Sequence, residues 1–165
     1  MKRITIEGQI RTDFGKSATR RLRSEDHVPA VIYGGAKEIN FSAPALAFRD
    51  IIYTADFMLA EISVDGTTYE CVLKDMQFDK VTDKLLHVDF LELVGDIKVV
   101  VDIPLNFVGT PRGVRDGGRL ITQLKKVKVK TYPQNLVENI EVDITKLRIG
   151  QNIRIKDISV TEMKF

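Results

Sequence analysis

Two groups of residues in this 165-residue chain have types and spacing suited to chemistry. Lys16, Arg20, Arg21 and Arg23 place four cations within eight positions. Such crowding is tolerable where something polyanionic lies opposite, and the planar fork of arginine matches phosphate oxygens. Farther along, "HVDF" sets His87 and Asp89 two residues apart. An imidazole beside a carboxylate supports acid–base catalysis. It equally supports donating to and accepting from base edges and 2′-hydroxyls in the shallow groove of RNA. Each group also has a plainer reading, a solvated helix face for the cations and an exposed polar strand face for the pair. No serine or cysteine nucleophile is tied to His87 and Asp89 by a recognised arrangement, which makes a hydrolase the weakest of these options.

Other motifs narrow the field. With one cysteine (Cys71) and two histidines (His27 and His87), no cluster has zinc-like spacing, so no metal or cofactor is expected. "GTPRGVRDGG" is glycine-rich but lacks the G-K-[S/T] ending of a phosphate loop. It reads as a wide turn whose Arg112, Arg115 and Arg119 face water or RNA. "KKVKVK" alternates Lys126, Lys128 and Lys130 with Val127 and Val129. That makes one cationic sheet face, read first as protection of an exposed edge and second as an RNA contact. Tyr33, just before Gly34-Gly35, either stacks on a base or packs in the core.

The elements that must carry these groups follow from periodicity. Residues 3 to 11 alternate, with Ile4, Ile6, Gly8 and Ile10 on one side, which predicts a half-buried strand. Residues 16 to 25 predict a short helix with Lys16, Arg20 and Arg23 on one face and Ala18 and Leu22 opposite. "VPAVIYGG" predicts a strand ending in a glycine turn. Ser42 as N-cap and Pro44 near the first turn predict a second helix to about Ala55. "MLAEISVDGTTYECVLKDMQF" is a hairpin by its Asp65-Gly66 turn, and "KLLHVDFLEL" a further strand with His87 and Asp89 on one face and Val88 and Phe90 on the other.

The pattern restarts near residues 93 to 96, which predicts units 1–93 and 96–165. In the second unit "DIKVVVDIPLNFVG" and "RLITQLKKVKVKTY" predict long strands flanking the glycine-rich turn. "NIEVDITKLRIGQNIRIKDI" predicts two short strands joined at Ile149-Gly150. The fold class expected is mainly β, a small N-terminal barrel with short helices followed by a mostly β second domain.

Composition bounds the class. Apolar residues make up 44% and charged ones 29%, enough for a core and unlike a disordered polyelectrolyte. No apolar run is long enough to span a membrane, and the N-terminus lacks a signal-peptide core. A single cysteine fits a reducing compartment, so a cytoplasmic protein is expected. The net charge of +2 conceals two basic islands. Residues 1 to 24 carry seven Lys/Arg against two Asp/Glu, and residues 111 to 130 carry seven against one, so the remainder is acidic. Such asymmetry points to a polyanionic partner.

Taken in order, "GKSATRRLR…VPAVIYGG" and "KDMQFDK…LLHVDF" resemble the bacterial large-subunit ribosomal protein family L-twenty-five, which binds 5S ribosomal RNA. "VDIPLNFVGTPRGVRDGG" and "IEVDITKLRIGQNIRIKDI" resemble the second domain of its longer form, often called general stress protein CTC. The resemblance covers nearly the whole chain. It implies an N-terminal barrel that clasps 5S RNA in the large subunit, beside neighbouring ribosomal proteins, with no catalysis and no small-molecule substrate. Carried over by position, it implies RNA contacts at Arg11, Lys16, Ser17, Arg20, Arg21, Arg23, Tyr33, Gln77, His87 and Asp89. Ser17 and Gln77 come from the resemblance only.

Two departures stand out. Where the family commonly has a basic "QRHP"-like stretch, this chain has Gln77-Phe78-Asp79-Lys80, so an arginine contact is missing and Asp79 would sit badly against a phosphate. Longer members also continue past the "VKDI"-like strand, whereas this sequence stops at Phe165. The rival expectation is a stress-related adaptor whose basic islands meet an acidic protein.

Overall fold

The alternation over residues 3 to 11 gives strand β1 (Arg3–Ile10), with Ile6 fully buried and Ile10, at the open end, exposed. The computed structural model describes residues 1–54, 56–95 and 97–158. Helix α1 (Lys16–Ser24) leads into β2 (His27–Tyr33), which turns back at Gly34 into β3 (Ile39–Pro44). Gly34 has φ +97°, and a Cβ there would lie 2.6 Å from Leu91, so glycine is required.

The helix expected from Ser42 begins later. Ser42 pairs with Pro29 and Phe41 with Ala30 across β2 and β3, and Phe41 and Ala43 are buried. This pairing outweighs the local capping signal. The helical part is a 3₁₀ turn, Ala45–Phe48, continued by α2 (Arg49–Tyr53). The expected end at Ala55 lies outside the described residues.

The Asp65-Gly66 hairpin is present, with φ 48° and 81° at the two turn residues as a type I′ turn needs. It joins β4 (Leu59–Val64) to β5 (Thr67–Phe78), and β6 (Leu85–Glu92) pairs antiparallel with β5. β4 returns to pair parallel with β1, Ile6 opposite Ile62, so the sheet closes in the order β1-β3-β2-β6-β5-β4. Closure removes every free edge from this sheet.

The barrel interior is filled by Ile6, Ala30, Ile32, Ile62, Cys71 and Val88 around three phenylalanines. The rings of Phe41, Phe48 and Phe90 lie 6.1 to 6.5 Å apart. A Cβ on Gly8 would collide with the Phe41 ring, so β1 carries its glycine where the aromatic layer comes closest.

A second sheet, ordered β8-β7-β9, comprises β7 (Val99–Val108), β8 (Lys126–Thr131) and β9 (Ile140–Asp143). The strand expected over "RLITQLKKVKVKTY" is confined to Lys126–Thr131, because only there does β7 offer a paired partner, Val99 to Pro104. Of the two short strands expected after Asn139 only β9 forms. Beyond Gly150 the chain carries a 3₁₀ turn, Ile155–Asp157, instead of a strand. A one-turn helix, α3 (Arg112–Arg115), lies inside the glycine-rich loop. Leu59 and Val72, on the outer wall of the barrel, share an apolar cluster with Val99, Val101, Ile103 and Val142. The mainly β architecture, a closed barrel plus a further sheet, is therefore as expected. Asp96, where the second unit was expected to start, and residues 159–165 lie outside the described residues.

Chain folding divides the second basic island. Lys126, Lys128 and Lys130 are exposed on β8, an edge strand, which suits the edge-protection reading. α3 instead docks beyond β9, with the N–H groups of Arg112 and Gly113 donating to the carbonyls of Thr145 and Leu147. No helix among the described residues is long and apolar enough to cross a membrane.

Candidate nucleic-acid interface

α1 sits on the outside of the barrel. Gly15, with φ +103°, starts it, and the Thr19 hydroxyl donates back to the Gly15 carbonyl at 2.8 Å. None of its residues is buried; Ala18, Thr19, Leu22 and Arg23 are half-buried against the barrel. Lys16, Ser17, Arg20 and Arg21 face solvent. Arg21 lies 3.9 Å from Asp13, an exposed pair of little energetic weight. Lys16 and Arg20 have no ion pair among the described residues.

The outward triad expected at Lys16, Arg20 and Arg23 needs one correction. Arg23 follows Leu22 by about 100° around the axis, so it falls at the border of the docked face. It is half-buried, and its Nε and Nη2 donate to the carbonyl of Leu86 at 3.1 and 2.9 Å. Arg21 takes its place among the exposed cations.

Arg11 follows β1, its backbone N–H donating to the Asn40 carbonyl at 2.9 Å. The guanidinium is half-buried, donates to the Asp13 carbonyl at 3.3 Å, and leaves its Nε without a partner among the described residues. Burial and the charge of Arg23 push its pKa below the ordinary arginine value. The same guanidinium lies 5.8 Å from the ring centre of Phe14, a side chain 65% exposed.

Beside the helix, the outer face of β2, β6 and β5 carries the polar set. Val88 and Phe90 fill the barrel while His87 and Asp89 point outward, the alternation read from "HVDF". Cross-strand pairing sets Gln77 opposite His87 and Asp75 opposite Asp89, and on the other side Val31 opposite Asp89. Tyr33 is half-buried on this face and belongs to neither apolar cluster. Burial, then the nearby Asp89 and Asp75 carboxylates, raise its pKa, so the phenol keeps its proton. The strands thus bring Tyr33, Gln77, His87 and Asp89 onto one surface, while Arg11, Lys16, Ser17, Arg20 and Arg21 flank it from the helix side.

His87 Nδ1 lies 2.7 Å from Asp89 Oδ1. A carboxylate has no proton to give, so the Nδ1–H donates and Nε2 is left as the outward acceptor in the neutral ring. The face offers acceptors at His87 Nε2, Asp89 and Asp75, an O–H at Tyr33 and an amide at Gln77. Two carboxylates repel phosphates but accept from amino groups and 2′-hydroxyls. The helix offers the opposite, bare cations. One surface therefore sets cations able to neutralise phosphates beside a polar strip able to hydrogen-bond groove edges.

Asp79 does not aim at this surface as a free charge. Its carboxylate accepts from the N–H groups of Val81 and Thr82, both at 2.9 Å, which shapes the loop between β5 and β6. Those bonds, Thr82 first, hold its pKa below the ordinary aspartate range. The sequence reading missed Phe14, Asp75 and the carbonyl of Leu86. An aromatic wedged between Asp13 and Gly15 was a usable signal for the first. Nothing short of strand register indicates the other two.

Residues 6–90 match the Ribosomal L25p family, and residues 98–164 match the C-terminal domain of ribosomal protein TL5. Relatives named large ribosomal subunit protein bL25 are similar along most of their length. That of Phocaeicola vulgatus is 39% identical, with 96% of this chain and 84% of the relative covered. Those of Porphyromonas gingivalis and Cytophaga hutchinsonii are 36% and 37% identical, again over 96% of this chain and 83% and 82% of theirs. With more than half of its length matched by the family and relatives above 30% identity, the chain belongs to the Ribosomal L25p family.

Proposed function

We propose that this protein binds and positions 5S ribosomal RNA within the large ribosomal subunit. Its class is structural and not enzymatic, a ribosomal protein of the cytoplasm, as its family membership indicates. The observation that carries the RNA reading is the junction of two unlike surfaces. Exposed Lys16, Arg20 and Arg21 stand beside the strand face of Tyr33, Gln77, His87 and Asp89. Phosphates lie under the helix, with Ser17 and Arg11 at its start, and the strand face meets the shallow groove. In this reading residues 1–93 are the RNA-binding unit, and residues 96–165 a second unit set against neighbouring ribosomal components.

Filter binding to 5S RNA across a salt series tests it. Neutralising four to six phosphates gives a log–log salt slope of roughly −3 to −5. Arg20→Ala and Arg21→Ala each weaken binding by about 1–3 kcal/mol, reduce that slope by about one, and lower occupancy on large subunits. A double variant that binds as well as the wild type at every salt concentration refutes the proposal.

A further inference from the structure

Leu86 is the unpaired residue of a bulge. Gln77 pairs with His87 and Phe78 with Leu85, so the register of β5 skips Leu86. On its other side, the pairing of β6 with β2 begins only at Ala30 and Val88. A bulge leaves its extra residue outside the ladder and re-aims it. Here the carbonyl of that residue receives the fork of Arg23, two N–H groups on one oxygen at 2.9 and 3.1 Å. The next residue along β6 is His87.

α1 has little else to hold it. It buries no residue completely, and only Ala18, Thr19 and Leu22 join Arg23 in half-burial. Its C-terminal end runs at once into β2 through Asp26, whose φ is +55°. That link fixes where the helix stops but leaves its tilt to side-chain contacts. Arg23 forms no ion pair among the described residues, although Asp26, Asp79 and Asp83 line the same groove, and the cation Arg11 lies close by. A guanidinium retained next to a like charge and spent on a strand carbonyl is placed for geometry.

We infer that Arg23 is a positioning residue, a strut between α1 and the β6 bulge that fixes the exposed cations relative to His87 and Asp89. This inference deepens the RNA-binding reading and rests on it for its functional consequence, while the strut itself belongs to the free protein. Lysine keeps the charge but cannot place two N–H groups in the same planar fork. Charge and geometry are therefore separable at this position.

Two measurements on the full chain test it. In the absence of RNA, hydrogen exchange of the α1 amides should quicken by about tenfold in both Arg23→Ala and Arg23→Lys, with barrel amides unchanged. Unchanged α1 exchange in both variants removes the strut, whatever the RNA result. With 5S RNA as the probe, both variants should lose about tenfold in affinity at an unchanged salt slope, whereas Arg20→Ala lowers the slope by about one. An Arg23→Lys variant that binds like the wild type, beside an Arg23→Ala variant whose slope falls by one, makes Arg23 a phosphate contact and overturns the inference. Absence of binding by the wild type refutes the RNA reading and leaves the exchange result to decide the strut.

Discussion

His87 donates its Nδ1–H to Asp89 across one repeat of β6, at 2.7 Å, and so turns Nε2 outward as an acceptor. The pair is locked by strand geometry, because residues two apart share a face and the intervening Val88 is buried in the barrel. Asp89→Asn permits the amide to donate instead, which reverses the preferred tautomer of His87 and changes Nε2 from acceptor to donor. The expected result is a loss of about 1–3 kcal/mol against 5S RNA with an unchanged salt slope and a smaller loss against unrelated RNA. Equal losses on both RNAs contradict a groove-sensing role.

Phe14 stands exposed at the entrance to α1 with the Arg11 guanidinium 5.8 Å from its ring centre. A side chain so exposed adds little to folding, and in RNA recognition such a ring is a stacking platform. Phe14→Ala should leave the melting temperature within a degree or two while costing about 1–3 kcal/mol of RNA affinity. Phe14→Tyr should restore it. Loss of stability instead, with affinity intact, assigns the ring to packing against Arg11.

The barrel was legible where one face of a strand is buried and the other wet. Ile4 and Ile6, Val88 and Phe90, and the Asp65-Gly66 turn all announce themselves by period or by turn chemistry. Ser42 misled because a good cap and a nearby proline carry no information about a distant partner, and pairing with Pro29 took the segment into the sheet. Arg23 misled for a similar reason. Helical spacing placed it near the other cations, but the carbonyl that receives it is freed by a bulge some sixty positions away in sequence. The division of the second basic island, its lysines on β8 and its α3 docked on the segment after β9, is a matter of long-range pairing, which local composition does not encode.

Asp79 links the loop between β5 and β6 to acid stability. Its folded pKa lies below the ordinary range because the Thr82 and Val81 N–H groups favour the carboxylate. A depressed folded pKa means that the unfolded chain takes up its proton first as the pH falls. The contribution is therefore complete above the ordinary aspartate range and disappears as the pH drops through the lower, folded value. Asp79→Asn should flatten the decline of melting temperature over that acid window and leave RNA binding at neutral pH unchanged. A fall in neutral-pH affinity assigns Asp79 to the RNA surface instead of the loop.

Cys71 tests whether the barrel is as closed as its pairing implies. The thiol lies in the apolar interior with no measurable exposure, and burial, then the Glu92 and Glu70 charges, push its pKa up to about 12. Only the thiolate reacts with disulfide reagents. Both its ionisation and its access therefore require the strands to part. The native protein at neutral pH should resist Ellman's reagent, and labelling should appear together with the unfolding transition in denaturant. Labelling at moderate rates under native conditions, without loss of the far-ultraviolet signal, means that β4 and β5 separate locally. In that case the outward face carried by β5, with Asp75 and Gln77, is mobile and cannot be the fixed partner of His87 and Asp89.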